Sequence, residues 1–119
     1  MEAVMGFGKV KLTDEALETV ALLFRSLGEA TRLKVLRLLE EQEMSVGELA
    51  QSIKTSQANI SKHLKMLLNA GVLSRRAQGT AAYYSIADPM IYQICDTICD
   101  GMTKRMKKQA AGFGLKVKK

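Results

Sequence analysis

The chain has 119 residues, of which 18 are Lys or Arg and 12 are Asp or Glu, so its formal net charge is +6 at pH 7. This length predicts a single domain, and no stretch approaches the roughly 18 consecutive apolar residues that a membrane span needs. The acids concentrate between residues 13 and 48, whereas the bases concentrate between residues 54 and 76 and at the C-terminus. This asymmetry predicts one face that binds a polyanion.

The N-terminus lacks the basic start and the continuous apolar core of a signal peptide. The chain has two cysteines, and without a secretory signal they point to a reducing compartment in which thiols are kept reduced. We therefore expect a cytoplasmic protein that does not enter a membrane.

Two helices are predicted in the first third of the chain. Residues 1–11 show no sustained period and are expected to form a flexible arm. A helix capped by Thr13 or Asp14 should run to about Leu27, with its apolar residues on one helical stripe. The next helix, Glu29–Glu40, is apolar on more than one side, which predicts a position in the middle of the core.

A helix-turn-helix is predicted next. Ser45 and Glu48 have the spacing of a capping box, which begins a short third helix. After a tight turn, Ser56 caps a longer fourth helix that runs to about Asn69 and stops before Gly71. A short helix, a turn and a longer helix with one polar face are typical of a DNA-binding motif.

A hairpin follows, with predicted strands Val72–Arg76 and Ala82–Ile86 and a turn in which Gly79 supplies the positive φ. A last helix is capped by Asp88 and should reach about Lys108, before a basic tail over residues 109–119. The predicted fold is one mainly α domain over residues 1–119, a winged helix-turn-helix with about five helices and a two-stranded antiparallel wing.

The fourth helix is the predicted recognition helix. One face is apolar, whereas the other carries short amides, hydroxyls and lysines, and no acid occurs from Ser56 to Ala81. Amides and hydroxyls pair with base edges and lysines neutralise phosphates, although an ordinary solvated face is the alternative. The basic hairpin tip would lie on the DNA backbone or in the minor groove. The predicted DNA-binding residues are Ser56, Gln57, Asn59, Ser61, Lys62, His63, Lys65, Arg75, Arg76, Gln78 and Thr80.

Within that set, His63 is the chain's only histidine. It is predicted to donate to a phosphate, and a half-buried position beside the helix is the alternative. Because it has no partner histidine, a His-rich zinc site is excluded.

The last helix has a long apolar stripe, which suits a subunit interface across a two-fold axis. Cys95 and Cys99 lie one helical turn apart on this helix. They are either small core hydrophobes or a sensor that binds a thiophilic metal(loid) ion or reacts with an oxidant or reactive sulfur. No other cofactor is predicted.

Three runs, FRSLGEATRLKVLRLLEE, SVGELAQSI and SQANISKHLKMLLNAGVLSRRAQGTAAYYSI, resemble in order and spacing the ArsR/SmtB family of bacterial winged-helix repressors. The resemblance covers about Leu17 to Met102. It implies a homodimer formed by the first and last helices, which binds a palindromic operator in double-stranded DNA and releases it when a small inducer arrives.

The inducer sites known in that family do not carry over. At the start of the third helix, Ser45 and Gly47 stand where the soft-metal-sensing members have a C-x-C pair. The last helix has no histidine for the site of the zinc-sensing members. The identity of the inducer therefore stays open.

Two other classes of protein are weighed against this interpretation. The sequence shows no Gly-rich phosphate loop, no Ser/His/Asp set and no paired carboxylates in an apolar setting, so it predicts no enzyme. The remaining alternative is a winged-helix module that binds protein or RNA, with structural cysteines and no inducer. Such modules favour aromatic or apolar anchors over lysines, and a salt titration separates the classes.

Overall fold

The computed structural model describes residues 4–6 and 8–112, with side chains from residue 11 onward. The chain divides into two compact units, and the boundary along the sequence falls between Ala87 and Asp88. Among the described residues, no helix has both the length and the apolar character needed to span a bilayer. The elements of the first unit are β1 (Val4–Gly6), β2 (Gly8–Leu12), α1 (Asp14–Leu27), α2 (Ala30–Leu39), β3 (Met44–Ser45), α3 (Val46–Ile53), α4 (Gln57–Asn69), β4 (Leu73–Gln78) and β5 (Ala81–Ile86), and the second unit contains α5 (Pro89–Gly112).

Helix α1 begins where the sequence predicts, because the Thr13 hydroxyl accepts a hydrogen bond from the Ala16 N–H. Its C-terminal end is buried at Ser26 and Leu27. The predicted apolar stripe is not covered along its whole length, since Val20 is 38% exposed and Phe24 is 53% exposed. Helix α1 thus contributes its last turn to the core and leaves large apolar side chains at the surface.

Helix α2 buries one face, with Val35, Leu36 and Leu39 almost inaccessible to solvent. The prediction of burial on more than one side is wrong at Leu33, which is exposed. The Glu29 side chain caps the helix by accepting from the Arg32 N–H at 2.9 Å. An acid at this position is favoured by the helix dipole.

The helix-turn-helix has the predicted caps. The capping box at Ser45 and Glu48 starts α3, and Ser56 starts α4. Lys54, the residue after α3, has φ of 67°, the left-handed conformation that ends the helix and turns the chain toward α4. These local signals therefore fix the placement of α4 relative to α3.

The wing is a three-stranded antiparallel sheet with strand order β3-β5-β4. The predicted hairpin is present, but its strands extend to Gln78 and Ala81, so the loop is only Gly79 and Thr80. Gly79 has the predicted positive φ, 62°. Strand β3 was not predicted because two residues cannot show an alternating pattern; it is defined by the pairing of Met44 with Tyr84.

Strands β1 and β2 form an antiparallel hairpin, with Val4 opposite Leu12 and Gly6 opposite Gly8. The sequence predicted an arm without regular structure here. Strands this short give few positions for an alternating pattern, so the sequence does not reveal them. They are defined by their pairing with each other. The remaining arm residues lie outside the described part of the chain.

Helix α5 starts as predicted, with the Asp88 carboxylate accepting from the Met90 N–H at 2.8 Å. It runs to Gly112, a few residues beyond the predicted end. On its surface Lys104 pairs with Asp100 at 3.1 Å, one turn earlier. The rest of the predicted basic tail lies outside the described residues.

Candidate nucleic-acid interface

Helix α4 is anchored by one face. Ile60, Leu64 and Leu67 are fully buried, and the helix packs on α2 and α3. Because side chains three and four positions apart share one side of a helix, this anchor directs the polar face of α4 outward. The burial pattern therefore confirms which side of α4 faces solvent.

The outward face of α4 is polar and basic. Gln57, Ser61, Lys62 and Lys65 are exposed, as the sequence predicted. Neither lysine has an ion-pair partner within the described residues. Both ammonium groups are thus available to an external anion.

Two predicted contact residues have structural tasks. The Ser56 Oγ accepts from the Asn59 N–H at 3.0 Å, so this hydroxyl caps the helix. The half-buried Asn59 uses its side-chain amide to donate to Thr55 Oγ1 at 3.1 Å, which fastens the turn to the helix. Serine and asparagine are favoured at helix caps as well as in DNA contacts, so residue type alone does not separate the two roles.

The structure does not place His63 on the exposed face. The residue is only 6% exposed, and its Nδ1 lies 3.1 Å from the Arg32 Nη1. A guanidinium only donates hydrogen bonds, so Nδ1 is the acceptor and the neutral ring carries its proton on Nε2. The half-buried alternative is therefore closer to the structure than the predicted phosphate contact.

Arg32 connects three helices through its guanidinium. Nε donates to the Ser26 carbonyl at 2.7 Å and Nη2 donates to the Arg25 carbonyl at 3.2 Å, both at the end of α1. Its third bond is the one to His63 on α4. The last carbonyls of a helix lack intrahelical partners. Arg32 donates to two of them, Ser26 and Arg25, while it also holds α4, and the Arg25 carbonyl accepts from the Gly28 N–H as well. Sequence reasoning missed this role although Arg32 lies in the ATRLKVL run, because the partners are known only from the fold.

An open depression of about 760 Å³ lies along the α2 side of α4. It is bordered by Glu29 and Thr31 from α2, and by Lys62, His63 and Met66 from α4, among other residues. The Glu29 carboxylate lies 4.0 Å from His63 Nδ1. Because Glu29 borders this depression, the basic face of α4, which carries no acid, ends there.

The pKa of His63 makes the stability of this region dependent on pH. Burial lowers the pKa below the ordinary value of 6.5, against the opposing effect of the Glu29 carboxylate. The cations Arg32 and Lys62 lower it further. A protonated ring could not accept from Arg32. The folded protein thus binds fewer protons than the unfolded chain between the two pKa values.

We expect the free energy of unfolding to fall as the pH drops below about 6.5, by up to about 1.4 kcal/mol per pH unit. The contribution is fully present above the unfolded pKa and is lost as the pH falls through the lowered folded pKa. Urea unfolding between about pH 7 and pH 5 measures it, above the range where carboxylates titrate. His63→Asn, which keeps an acceptor near Nδ1, should flatten this dependence. An equal slope in both proteins would contradict the assignment, since the chain has no other histidine.

On the wing, the two arginines differ. The exposed Arg75 side chain makes no hydrogen bond or ion pair with the described residues. Arg76, which was predicted to contact DNA, is held by Glu43 at 2.6 Å and by Gln78 Oε1 at 2.7 Å, with its guanidinium over the Tyr83 ring. Thr80 is exposed in the loop. The wing therefore presents Arg75 and Thr80 freely, whereas Arg76 and Gln78 are engaged.

Cys95 is half-buried and Cys99 is exposed, and no disulfide joins them. The Thr103 hydroxyl, one turn after Cys99, donates its hydrogen bond to the Cys99 backbone carbonyl. The described part of the chain contains no group of three or more His, Cys, Asp or Glu side chains suited to a metal ion. Two thiols from one chain are therefore an incomplete ligand set for most metals.

The fold and this interface define a winged helix-turn-helix DNA-binding protein. Residues 29–75 match the sequence model of the bacterial regulatory proteins of the arsR family. The chain is 37% identical over 81 residues to the HTH-type transcriptional regulator MJ1325 of Methanocaldococcus jannaschii, covering 67% of this chain and 91% of that protein. It belongs to the ArsR family, and it is a DNA-binding transcriptional repressor rather than an enzyme.

Two further similarities agree with this assignment. The chain is 36% identical over 78 residues to a homologue of the cadmium resistance transcriptional regulatory protein CadC from Staphylococcus aureus, covering 65% of this chain and 64% of that protein. The fold is similar to the homodimeric winged helix-turn-helix DNA-binding domain of Mb0332 from Mycobacterium bovis, with 23% identity and a TM-score of 0.77 over 87% of this chain and 95% of that domain.

Proposed function

We propose that the protein represses transcription in the cytoplasm as a homodimer that binds a palindromic operator. Each protomer would place α4 in the major groove, with Gln57 and Ser61 at base edges and Lys62 and Lys65 on phosphates. Arg75 and Thr80 would lie along the backbone at the wing. The observation that carries the proposal is the outward face of α4, whose lysines have no ion-pair partner among the described residues.

Dimerisation is supported by apolar surface on both units. In the first unit, Val20 and Phe24 of α1 are exposed; on α5, Ile98, Met102 and Met106 are exposed. Large apolar side chains grouped on a helix face are typical of a protein interface. The Mb0332 domain, which has a similar fold, is a homodimer. Two-fold symmetry would present two recognition helices to half-sites about 34 Å apart.

The proposed inducer is a thiophilic metal(loid) ion, oxidant or reactive sulfur species that acts at Cys95 and Cys99. These residues lie one turn apart on α5, and the exposed Cys99 thiol is accessible. In a homodimer two such pairs would supply four thiols, enough for a soft-metal site. Similarity to a regulator of cadmium resistance supports a metal of this class. Structural cysteines without an inducer remain the alternative.

The experiment is a binding titration of the purified protein on DNA from upstream of its own gene. Fluorescence anisotropy over a range of salt concentrations should show a steep loss of affinity with rising salt, because several phosphates are neutralised. The titration is then repeated with arsenite, cadmium, zinc, persulfide and peroxide. Binding that hardly depends on salt would support a protein-binding module instead, whereas tighter binding to RNA than to the DNA duplex would support an RNA-binding module.

Replacing both cysteines separates sensing from DNA binding. We expect Cys95→Ser/Cys99→Ser to bind the operator as firmly as the parent, because neither residue lies on α4 or the wing, and to lose release by the thiol-reactive inducer. Thr97→Ser, an exposed change between the two cysteines, is the matched control and should keep the response. If the double variant folds normally and still responds to every inducer, the cysteines are not the sensor.

A further inference from the structure

Glu43 and Arg76 form the best-defined ion pair on the wing. Glu43 Oε1 accepts from Arg76 Nη2 at 2.6 Å, and Glu43 Oε2 accepts from Nε at 3.4 Å. Glu43 immediately precedes β3, whereas Arg76 lies on β4, at the other edge of the sheet. The pair lowers the pKa of Glu43, chiefly through the hydrogen bond from Arg76, so the carboxylate stays charged at neutral pH. The contact is thus a charged, two-bond fork.

The same fork geometry suits a phosphate. An arginine guanidinium donates two parallel N–H groups to a carboxylate or to two phosphate oxygens. Both side chains of this pair are about half exposed, 50% for Arg76 and 42% for Glu43. Exposed ion pairs are weak and are screened by salt, so a DNA phosphate can displace the carboxylate.

Arg76 stays on the wing without Glu43. Its Nη1 donates to Gln78 Oε1, and its guanidinium lies 5.2 Å from the centre of the Tyr83 ring, directly across the sheet. These two contacts come from β4 and β5 themselves. Loss of the carboxylate would therefore free the charge of Arg76 while its side chain remains on the wing.

We propose that Glu43 is an intramolecular competitor of DNA: it occupies the Arg76 guanidinium in the free protein and so lowers the affinity for the operator. This inference rests on the proposed docking of the wing along the DNA backbone. It makes Arg76 a phosphate-binding residue whose contribution is set by an acid outside both the recognition helix and the hairpin. Operator affinity is thereby held below the maximum that the basic surface allows.

The test is the affinity of Glu43→Gln for operator DNA, measured by anisotropy on the full chain. The amide keeps the size of the side chain but not its charge, and we expect the Kd to fall about two- to fivefold for each wing on the DNA. Glu41→Gln is the matched control, because it removes the same charge from an exposed residue of the same connector. It should change the Kd less than Glu43→Gln does.

A double-mutant cycle with Arg76→Gln decides the mechanism. The increase in operator affinity caused by Glu43→Gln should vanish in the Arg76→Gln background, because no guanidinium is then left for Glu43 to occupy. Unchanged or weaker binding by Glu43→Gln, or an equal gain in the Arg76→Gln background, would overturn the proposal. Thermal unfolding of each variant checks that the wing is intact. If Lys62→Ala/Lys65→Ala loses operator binding while Glu43→Gln has no effect, the proposed function stands and this inference alone fails.

Discussion

Lys62→Ala/Lys65→Ala is expected to weaken binding to every duplex sequence, by roughly a hundredfold to a thousandfold at about 0.15 M salt. Each lysine that neutralises a phosphate releases a counterion, and a dimer would lose four such contacts. The slope of log affinity against log salt should therefore become shallower by about 3 to 4. Anisotropy titrations on operator and on unrelated DNA measure both effects. Because these are phosphate contacts, the two DNA sequences should be affected alike.

The control removes an equal charge from another surface. Lys34 and Arg37 are exposed on α2 and do not border the depression beside α4. We expect Lys34→Ala/Arg37→Ala to lose much less affinity and to keep most of the salt dependence. Should the two double variants behave alike, overall charge rather than the α4 face would account for DNA binding, and the proposed interface would be wrong.

The second large effect is on stability. Arg32→Ala is expected to lower the free energy of unfolding by about 2–4 kcal/mol, because it removes three hydrogen bonds from a charged donor and leaves the buried His63 Nδ1 without one. The loss of the contact between α1 and α4 should also weaken operator binding. Urea unfolding followed by circular dichroism measures the first effect, and anisotropy measures the second.

Arg37→Ala is the control for this loss, since Arg37 is an exposed arginine on the same helix. The free energy of unfolding of Arg37→Ala should differ from that of the parent by no more than about 0.5 kcal/mol, as for most surface substitutions. Arg32→Lys keeps the charge but not the planar fork, and it should recover only part of the stability. Equal stability of Arg32→Ala and the parent would mean that the three hydrogen bonds contribute nothing net.

Signals carried by neighbouring residues predicted the helix-turn-helix accurately. The capping box at Ser45, the Ser56 cap and the apolar spacing of Ile60, Leu64 and Leu67 each depend on residues within two turns of one another. The same local information predicted the hairpin turn at Gly79. Consequently the outward face of α4, with Gln57, Ser61, Lys62 and Lys65, follows from sequence alone.

Contacts between distant residues could not be predicted in this way. Arg76 was predicted to bind DNA because it is basic and near the hairpin tip, but its partner Glu43 is 33 positions away in sequence and precedes a two-residue strand. His63 lies at the edge of the α4 wheel, and its burial beside Arg32, 31 positions away in sequence, depends on how α2 packs against α4. The exposure of the apolar stripe on α1 could not be predicted either, because periodicity shows that a face is apolar and not what covers it.

The Arg32 guanidinium joins the end of α1 to the middle of α4, and this contact would limit how the proposed inducer could release the protein from DNA. Because the two helices are joined in this way, a signal received elsewhere in the proposed dimer would have little freedom to tilt one recognition helix by itself. It would instead change the distance and angle between the two protomers. A change of a few ångströms in the distance between the two recognition helices would prevent both from entering successive major grooves on one side of the DNA.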